Sequence, residues 1–230
     1  MLVRTWNLFH GNTAPPRRRA YLREMVELVT ADRPAVVCLQ EVPLWALAHL
    51  EQWSGMRASG AVAARPRLGS VELGRLITEL DRGRFRSAFT GQANAILVDR
   101  AFEDERAVVV STSRERRVVQ SLRLADGISV ANFHVTGGAP AELQLRRVLD
   151  SVEGLGDRVI LAGDANVLPN NGRFYERLRE LAFSEPLAGG IDQVLVRGLP
   201  STPPVAWPEE RRRLGALVLS DHAPVELTVG

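Results

Sequence analysis

The sequence predicts a layered α/β sandwich formed by a single domain over residues 1–230. Two observations carry this reading. Leu2–Gln40 runs strand, helix, strand, and Ile128–Ala162 repeats that order. Between them lie antiparallel-looking strands, so the pattern is mixed and not a pure doubly wound sheet.

The strands come first. Leu2–Leu8, Ala35–Gln40, Ala93–Val98, Ala107–Ser111, Val118–Leu124, Ile128–His134, Arg158–Ala162, Asp192–Val196 and Ala223–Val229 are mostly rich in Val, Ile and Leu and bounded by turn residues. Helical spacing runs over Arg17–Ala31, where Tyr21, Met25, Leu28 and Val29 share a face, Pro15 and Pro16 suit a first turn, and Pro34 stops the element. Further helices are predicted at Leu44–Trp53, Val71–Leu80, Ala141–Val152 and Phe174–Ala182. Ala58–Gly69, rich in Arg, Ala and Gly with little period, reads as loop. Leu199–Arg213, with Pro200, Pro203, Pro204 and Pro208, reads as a long surface connection, a length often tied to function.

Composition narrows the class of protein. With 230 residues, 45% hydrophobic and 24% charged, the chain can bury a core without a disulfide or metal to hold it. The single cysteine, Cys38, lies in the apolar run Val36–Leu39 and reads as a small buried hydrophobe. No apolar run approaches a membrane span, so a soluble, cytoplasmic monomer is expected. Net charge is only +2, yet the sequence contains no lysine and all 29 basic residues are arginine. Guanidinium pairs bidentately with phosphate, although coding bias produces the same enrichment.

The chemistry collects where apolar strands end. Leu2–Trp6 leads to Asn7, Val36–Leu39 to Gln40 and Glu41, Ile128–Ala131 to Asn132 and His134, and Val159–Ala162 through Gly163 to Asp164 and Asn166. Residues i and i+2 of an extended chain share a face, so Asn132 with His134, and Asp164 with Asn166, can act as pairs. Gly163 leaves room for close approach of backbone or ligand. One such end is an ordinary turn former. Several, with Asp192 and Ser220-Asp221-His222, are not. Carboxylates without cysteine clusters suit a hard cation, Mg²⁺ or Mn²⁺.

These segments resemble the endonuclease/exonuclease/phosphatase superfamily. The matching stretches are Thr5-Trp6-Asn7, Leu39-Gln40-Glu41-Val42, Asn94–Leu97, Asn132-Phe133-His134-Val135, Leu161–Asn166, Ile191–Val194 and Ser220–Val225, in the family's order. The resemblance implies a four-layer αββα sandwich, two mixed β-sheets face to face with helices outside. It implies a metal held chiefly by Glu41, with Asn7 and Asp221 nearby. Asp164 would orient or deprotonate the attacking water, supported by Asn166. His222, oriented by Asp192, would sit against the scissile phosphate, with His134 as a second phosphate contact or proton donor and Asn132 beside it. The sequence departs from the family in placing Asn94 three residues after Gly91, and Ala165 where an aromatic is more frequent.

Three functions remain open at this point: a nuclease, a hydrolase of a smaller phosphate ester such as a lipid headgroup, sugar phosphate or nucleotide, and a binding protein that has lost catalysis. Arginine groups at Arg17–Arg19, Arg82/Arg84/Arg86, Arg114/Arg116/Arg117 and Arg211–Arg213 favour nucleic acid. Arg211, Arg212 and Arg213, closely preceding Asp221 and His222, are expected at the cleft rim as substrate-binding residues.

Overall fold

The computed structural model describes residues 1–66, 70–80, 89–112, 115–170 and 173–230. Among the described residues the strands are β1 (Leu2–Asn7), β2 (Thr13–Ala14), β3 (Val36–Val42), β4 (Arg57–Ala64), β5 (Gln92–Val98), β6 (Phe102–Ser111), β7 (Arg117–Leu124), β8 (Ser129–His134), β9 (Val159–Asp164), β10 (Asp192–Arg197), β11 (Val205–Ala206), β12 (Arg213–Leu214), β13 (Leu217–Leu219) and β14 (Val225–Thr228). The helices are α1 (Leu22–Thr30), α2 (Leu50–Ser54), α3 (Val71–Leu80), α4 (Ala141–Glu153) and α5 (Arg173–Glu180).

One mixed sheet has the order β11-β14-β1-β3-β5-β4 and the other β10-β9-β8-β7-β6. In each, one parallel pair, β1/β3 or β8/β9, sits among antiparallel neighbours. A small sheet, β12-β13-β2, is added at one end.

Period-two patterning builds the layers. On β3, Val36 and Cys38 pack with Ile96, Val130, Ile160 and Val194 in the apolar layer between the two sheets. The intervening Val37 and Leu39 face the other way, onto Leu22, Met25, Val26 and Val29 of α1. On β9, Ile160 and Ala162 join the inter-sheet layer, while Val159 and Leu161 pack beneath α4 and α5. The result is helix, sheet, sheet, helix.

Four elements differ from expectation. Arg57–Ala64 is an edge strand, not loop; its burial alternates, but small residues at the buried positions gave little hydrophobic period. Arg67–Gly69 of that expectation lies outside the described residues. Helix α1 begins at Leu22, not Arg17, because Thr13–Ala14 pairs with Val218–Leu219 and the Tyr21 amide donates to the Gly11 carbonyl (2.9 Å), which closes the intervening chain into a non-helical loop. Leu44–His49 is 3₁₀ before α2 begins. The long connection after Leu199 contains β11, a 3₁₀ turn over Glu209–Arg212 and the start of β12.

Candidate active site

Strand register brings the chemical residues to one end of both sheets. Asn7 pairs with Gln40 across β1/β3, while Asp164 is flanked by His134 on β8 and Asp192 on β10. Gly163 permits this close packing: its φ is +152°, and a Cβ there would lie 1.9 Å from the Phe133 carbonyl oxygen.

Asp164 is buried at the centre. Its Oδ2 accepts from Asn7 Nδ2 (3.1 Å), and its Oδ1 from the Asn166 amide (2.8 Å). Burial, then the charge of Asp192, raise the Asp164 pKa well above the usual carboxylate range. Asn166, itself left-handed at φ 49°, donates through Nδ2 to the Val135 carbonyl (2.9 Å).

His222 lies in the β13–β14 connection, with its Nδ1 2.8 Å from Asp192 Oδ2. Burial alone would lower its pKa, but the hydrogen bond and charge of Asp192, helped by Asp164 and Asp221, raise it to about 9. The imidazolium is therefore the neutral-pH form, with Nδ1–H donating to Asp192. Ser220, left-handed at φ 60°, fastens this loop: its Oγ donates to the Asn7 carbonyl (2.7 Å) and accepts from the His222 amide (3.1 Å). Trp6 Nε1 donates to the His222 carbonyl (2.9 Å).

His134 is the opposite case. Arg117 NH1 donates to its Nδ1 (2.9 Å), and because guanidinium has no acceptor, the neutral ring carries its proton on Nε2. Burial, then Arg117, push its pKa down to about 3. That Nε2 lies 3.6 Å from Asp164 Oδ2 and 3.8 Å from Glu41 Oε1.

Glu41 adopts φ 54° at the end of β3, where the strand register shifts. Its Oε2 lies 3.1 Å from His10 Nε2. Burial would raise its pKa, but His10, His134 and Arg117 together hold the carboxyl well below the usual range. Phe9 and His10 are also left-handed, at φ 47° and 53°, and the Phe9 amide donates to Asn7 Oδ1 (2.9 Å). This concentration of strained non-glycine backbone bends His10 onto Glu41.

Most expected residues are thus assembled, with exceptions. Asn132 shares a strand face with His134, but it is fully buried between the sheets. Its Nδ2 donates to the Leu39 and Ala95 carbonyls (both 2.9 Å), and its Oδ1 accepts from Gln40 (2.8 Å). It ties the sheets together; expectation is corrected there. Asn94 likewise donates to the Val118 carbonyl (3.0 Å). Asp221 is half-exposed beside His222, its Oδ1 3.9 Å from Nε2.

Of the expected Arg211–Arg213 rim, Arg211 and Arg213 lie at the surface and Arg212 is half-buried. Arg211 pairs with Glu226 (3.0 Å) and Asp32 (3.3 Å) and stacks on Trp207, and Arg213 pairs with Glu209. Arg212 turns inward, NH1 donating to the Ser220 (2.7 Å) and Leu219 (3.2 Å) carbonyls. Arg212 is thus committed to the loop that carries His222, while Arg211 and Arg213 are held in ion pairs at the surface. Arg82, Arg84, Arg86 and Arg114 lie outside the described residues.

His10 and Arg117 were missed as site residues. His10 follows Asn7 by three residues, but only the left-handed turn reveals its contact. Arg117 was read within an arginine group favouring nucleic acid, whereas it is buried, donating also to Thr136 Oγ1 (3.2 Å), Gln92 Oε1 (3.4 Å) and Glu115.

The sequence model of the Endonuclease/Exonuclease/phosphatase family matches residues 5–222. The chain belongs to this family. Among solved structures it is similar to an endonuclease/exonuclease/phosphatase from Beutenbergia cavernae, with 16% identity over all of this chain and 72% of that one, TM-score 0.73. A mannosyl-6-phosphatase of Bacteroides thetaiotaomicron (14%, 100% and 99% coverage, TM-score 0.71) and a 3'-5' exonuclease of Neisseria meningitidis (17%, 100% and 99%, TM-score 0.66) share the fold. No curated protein sequence matches this chain. No helix among the described residues is long and apolar enough to cross a membrane.

Within this family member, the donor set fits a hard dication. Glu41 and Asp164 approach the same His134 atom, and Asp192 feels the charges of Glu41 and Asp221, so four carboxylates share one field. Asp164, Asp192 and His222 also converge closely enough that the three could hold a metal ion.

Proposed function

We propose that this family member is a Mg²⁺- or Mn²⁺-dependent hydrolase of phosphodiester bonds acting on nucleic acid. The observation that carries the reading is a buried, hydrogen-bonded carboxylate, Asp164, standing between two imidazoles, with His134 Nε2 3.6 Å and His222 Nδ1 3.9 Å from its Oδ2.

A cation held by Glu41, with Asn7 and Asp221 nearby, would neutralise phosphate charge and polarise the ester. Asn7 Oδ1 already accepts from Phe9 but retains a second lone pair. Asp164 orients and deprotonates the attacking water; Asn7 Nδ2 and the Asn166 amide keep its carboxylate aimed. His222, with Nδ1–H on Asp192, presents Nε2–H to the developing phosphate charge, and His134 presents a neutral Nε2–H beside it.

A smaller phosphate ester is the second reading. It is favoured by the likeness to a mannosyl-6-phosphatase and by the modest net charge. Parallel assays on plasmid DNA, RNA, phospholipid, sugar phosphates and bis-p-nitrophenyl phosphate, with Mg²⁺ or EDTA, separate the two. Cleavage of nucleic acid that EDTA abolishes is expected; full turnover in excess EDTA would refute the metal assignment.

A further inference from the structure

A second feature lies one turn of chain from Glu41. A groove of about 560 Å³ is lined by Arg18, Arg19, Arg23, Arg75, Trp45 and Trp53. Among the described lining residues the one carboxylate is Glu24, which pairs with Arg19. Both indoles are half-buried and packed on the α1 side of the core, and the His49 ring stacks on Trp53 with centroids 5.2 Å apart. The two indoles meet edge to face, centroids 6.1 Å apart, and the Arg75 guanidinium lies 4.5 Å over Trp45.

The groove is tied to the catalytic end. Trp45 follows Glu41 by four residues, a span of about 14 Å at most. Between the lining residues Ala20 and Leu22, the Tyr21 amide donates to the Gly11 carbonyl (2.9 Å), next to His10, which touches Glu41.

We propose that this groove binds an unpaired stretch of nucleic acid flanking the scissile phosphate, its backbone on the arginines and its bases on Trp45 and Trp53. The inference rests on the phosphodiesterase reading and adds substrate form to it. Cationic walls alone would suit any polyanion. Indole faces beside them select a strand whose bases are unstacked, because a duplex keeps its base faces covered. The Arg23–Glu27 pair (2.8 Å) and the Arg19–Glu24 pair are exposed at the surface and weak enough to exchange for phosphate.

The test uses intrinsic fluorescence. Of the four tryptophans, Trp6 and Trp207 are buried, so quenching by a ligand reports on Trp45 and Trp53. The whole protein in EDTA, where turnover is suppressed, is titrated with oligothymidylate and separately with a hairpin duplex over a range of salt. Quenching by the single strand and a weaker response to the duplex are expected. The variant Arg18→Gln/Arg23→Gln/Arg75→Gln, all exposed positions, should lose at least about tenfold in affinity. Its log–log salt slope should fall by about 2, at ~0.7 per phosphate contact. Its hydrolysis of bis-p-nitrophenyl phosphate with Mg²⁺ should be unchanged.

If the wild type cleaves the oligonucleotide and the variant binds it equally well, the groove assignment is wrong and the nuclease reading survives. Equal quenching by duplex and single strand also overturns it. If the wild type neither binds nor cleaves oligonucleotide yet hydrolyses the small diester, groove and nucleic-acid substrate fall together. Parallel loss on both substrates would make the groove a support for the Glu41 turn, against the proposal.

Discussion

His134 and His222 flank the same carboxylate, Asp164, and are built in opposite ways. His134 ends a central strand, is 3% exposed and has an arginine on its Nδ1. His222 lies on a loop, its side chain is 17% exposed, and it has a carboxylate on its Nδ1. One is held neutral and the other cationic. Residue type therefore says little about role; the partner on the far nitrogen sets the charge, and the fold sets the partner. A neutral donor can polarise a phosphate oxygen without repelling a nearby cation, whereas an imidazolium adds a full charge where negative charge develops.

Removing the cationic member should have the largest effect. His222→Ala is expected to lower kcat by roughly 10²–10⁴-fold. Asp192→Asn should cost less, because it misdirects the ring without deleting it, but it should move the alkaline limb of the pH–rate profile from about 9 toward the ordinary histidine value. The two losses should be strongly non-additive. Stability follows the same sign. The folded His222 pKa lies above its unfolded value of about 6.5, so the stabilisation from the pair is full below that value and disappears as pH rises through about 9. Thermal melts in EDTA from pH 6 to 10 check this; a wild-type profile parallel to that of His222→Ala would break the charge assignment.

The neutral member is tested through Arg117. Arg117→Gln removes the donor that fixes the His134 tautomer and a cation beside Glu41. A loss of roughly 10–100-fold in activity is expected, the range for partners that orient a functional group. The His134 ring nitrogens should then titrate closer to the ordinary value in ¹⁵N spectra. An unshifted ring would mean that burial alone, the first of its two causes, keeps it neutral.

On the other face of the site, His10→Asn tests what steadies Glu41. The shorter amide should weaken Mn²⁺ binding roughly 10-fold, measured directly by titration without substrate. Unchanged affinity would make His10 a bystander.

What the sequence made legible follows the strands. Asn7, Glu41, His134, Asp164 and Asp192 stand at strand ends, where period two and an apolar run locate a side chain without tertiary information. The sandwich was legible for the same reason, since alternate residues of β3 and β9 are apolar on both faces. Arg57–Ala64 escaped because alanine and glycine mark no face clearly. Asn132 was misjudged because the i, i+2 rule gives a face but not a depth: two residues back along β8, that face is already the interior. His10 depends on left-handed backbone at Phe9 and His10, and nothing in either residue type announces it. Arg117 and Arg211–Arg213 show the limit for long charged side chains, whose direction is set by the nearest acid or carbonyl.

The smallest expected effects come from those arginines, and they test how a loop can hold His222 as firmly as a strand holds His134. Arg212 is half-buried and donates to the Ser220 and Leu219 carbonyls, just before Asp221 and His222. Arg213, one residue on, pairs with Glu209 at the surface. Arg212→Gln should leave two carbonyls short of a donor at the base of the loop. About 1–3 kcal/mol of stability is at stake, with a few-fold drop in kcat as His222 loses its aim. Arg213→Gln removes only an exposed ion pair, worth about 0–1 kcal/mol and screened by salt, so melting temperature and rate should both stay within error. The contrast must hold on a small phosphodiester as well as on nucleic acid, because bracing a catalytic loop affects every substrate alike. If Arg213→Gln instead weakened nucleic-acid cleavage alone, that arginine would face substrate after all. The rim once expected at Arg211–Arg213 would then have to be restored beside the arginine–tryptophan groove.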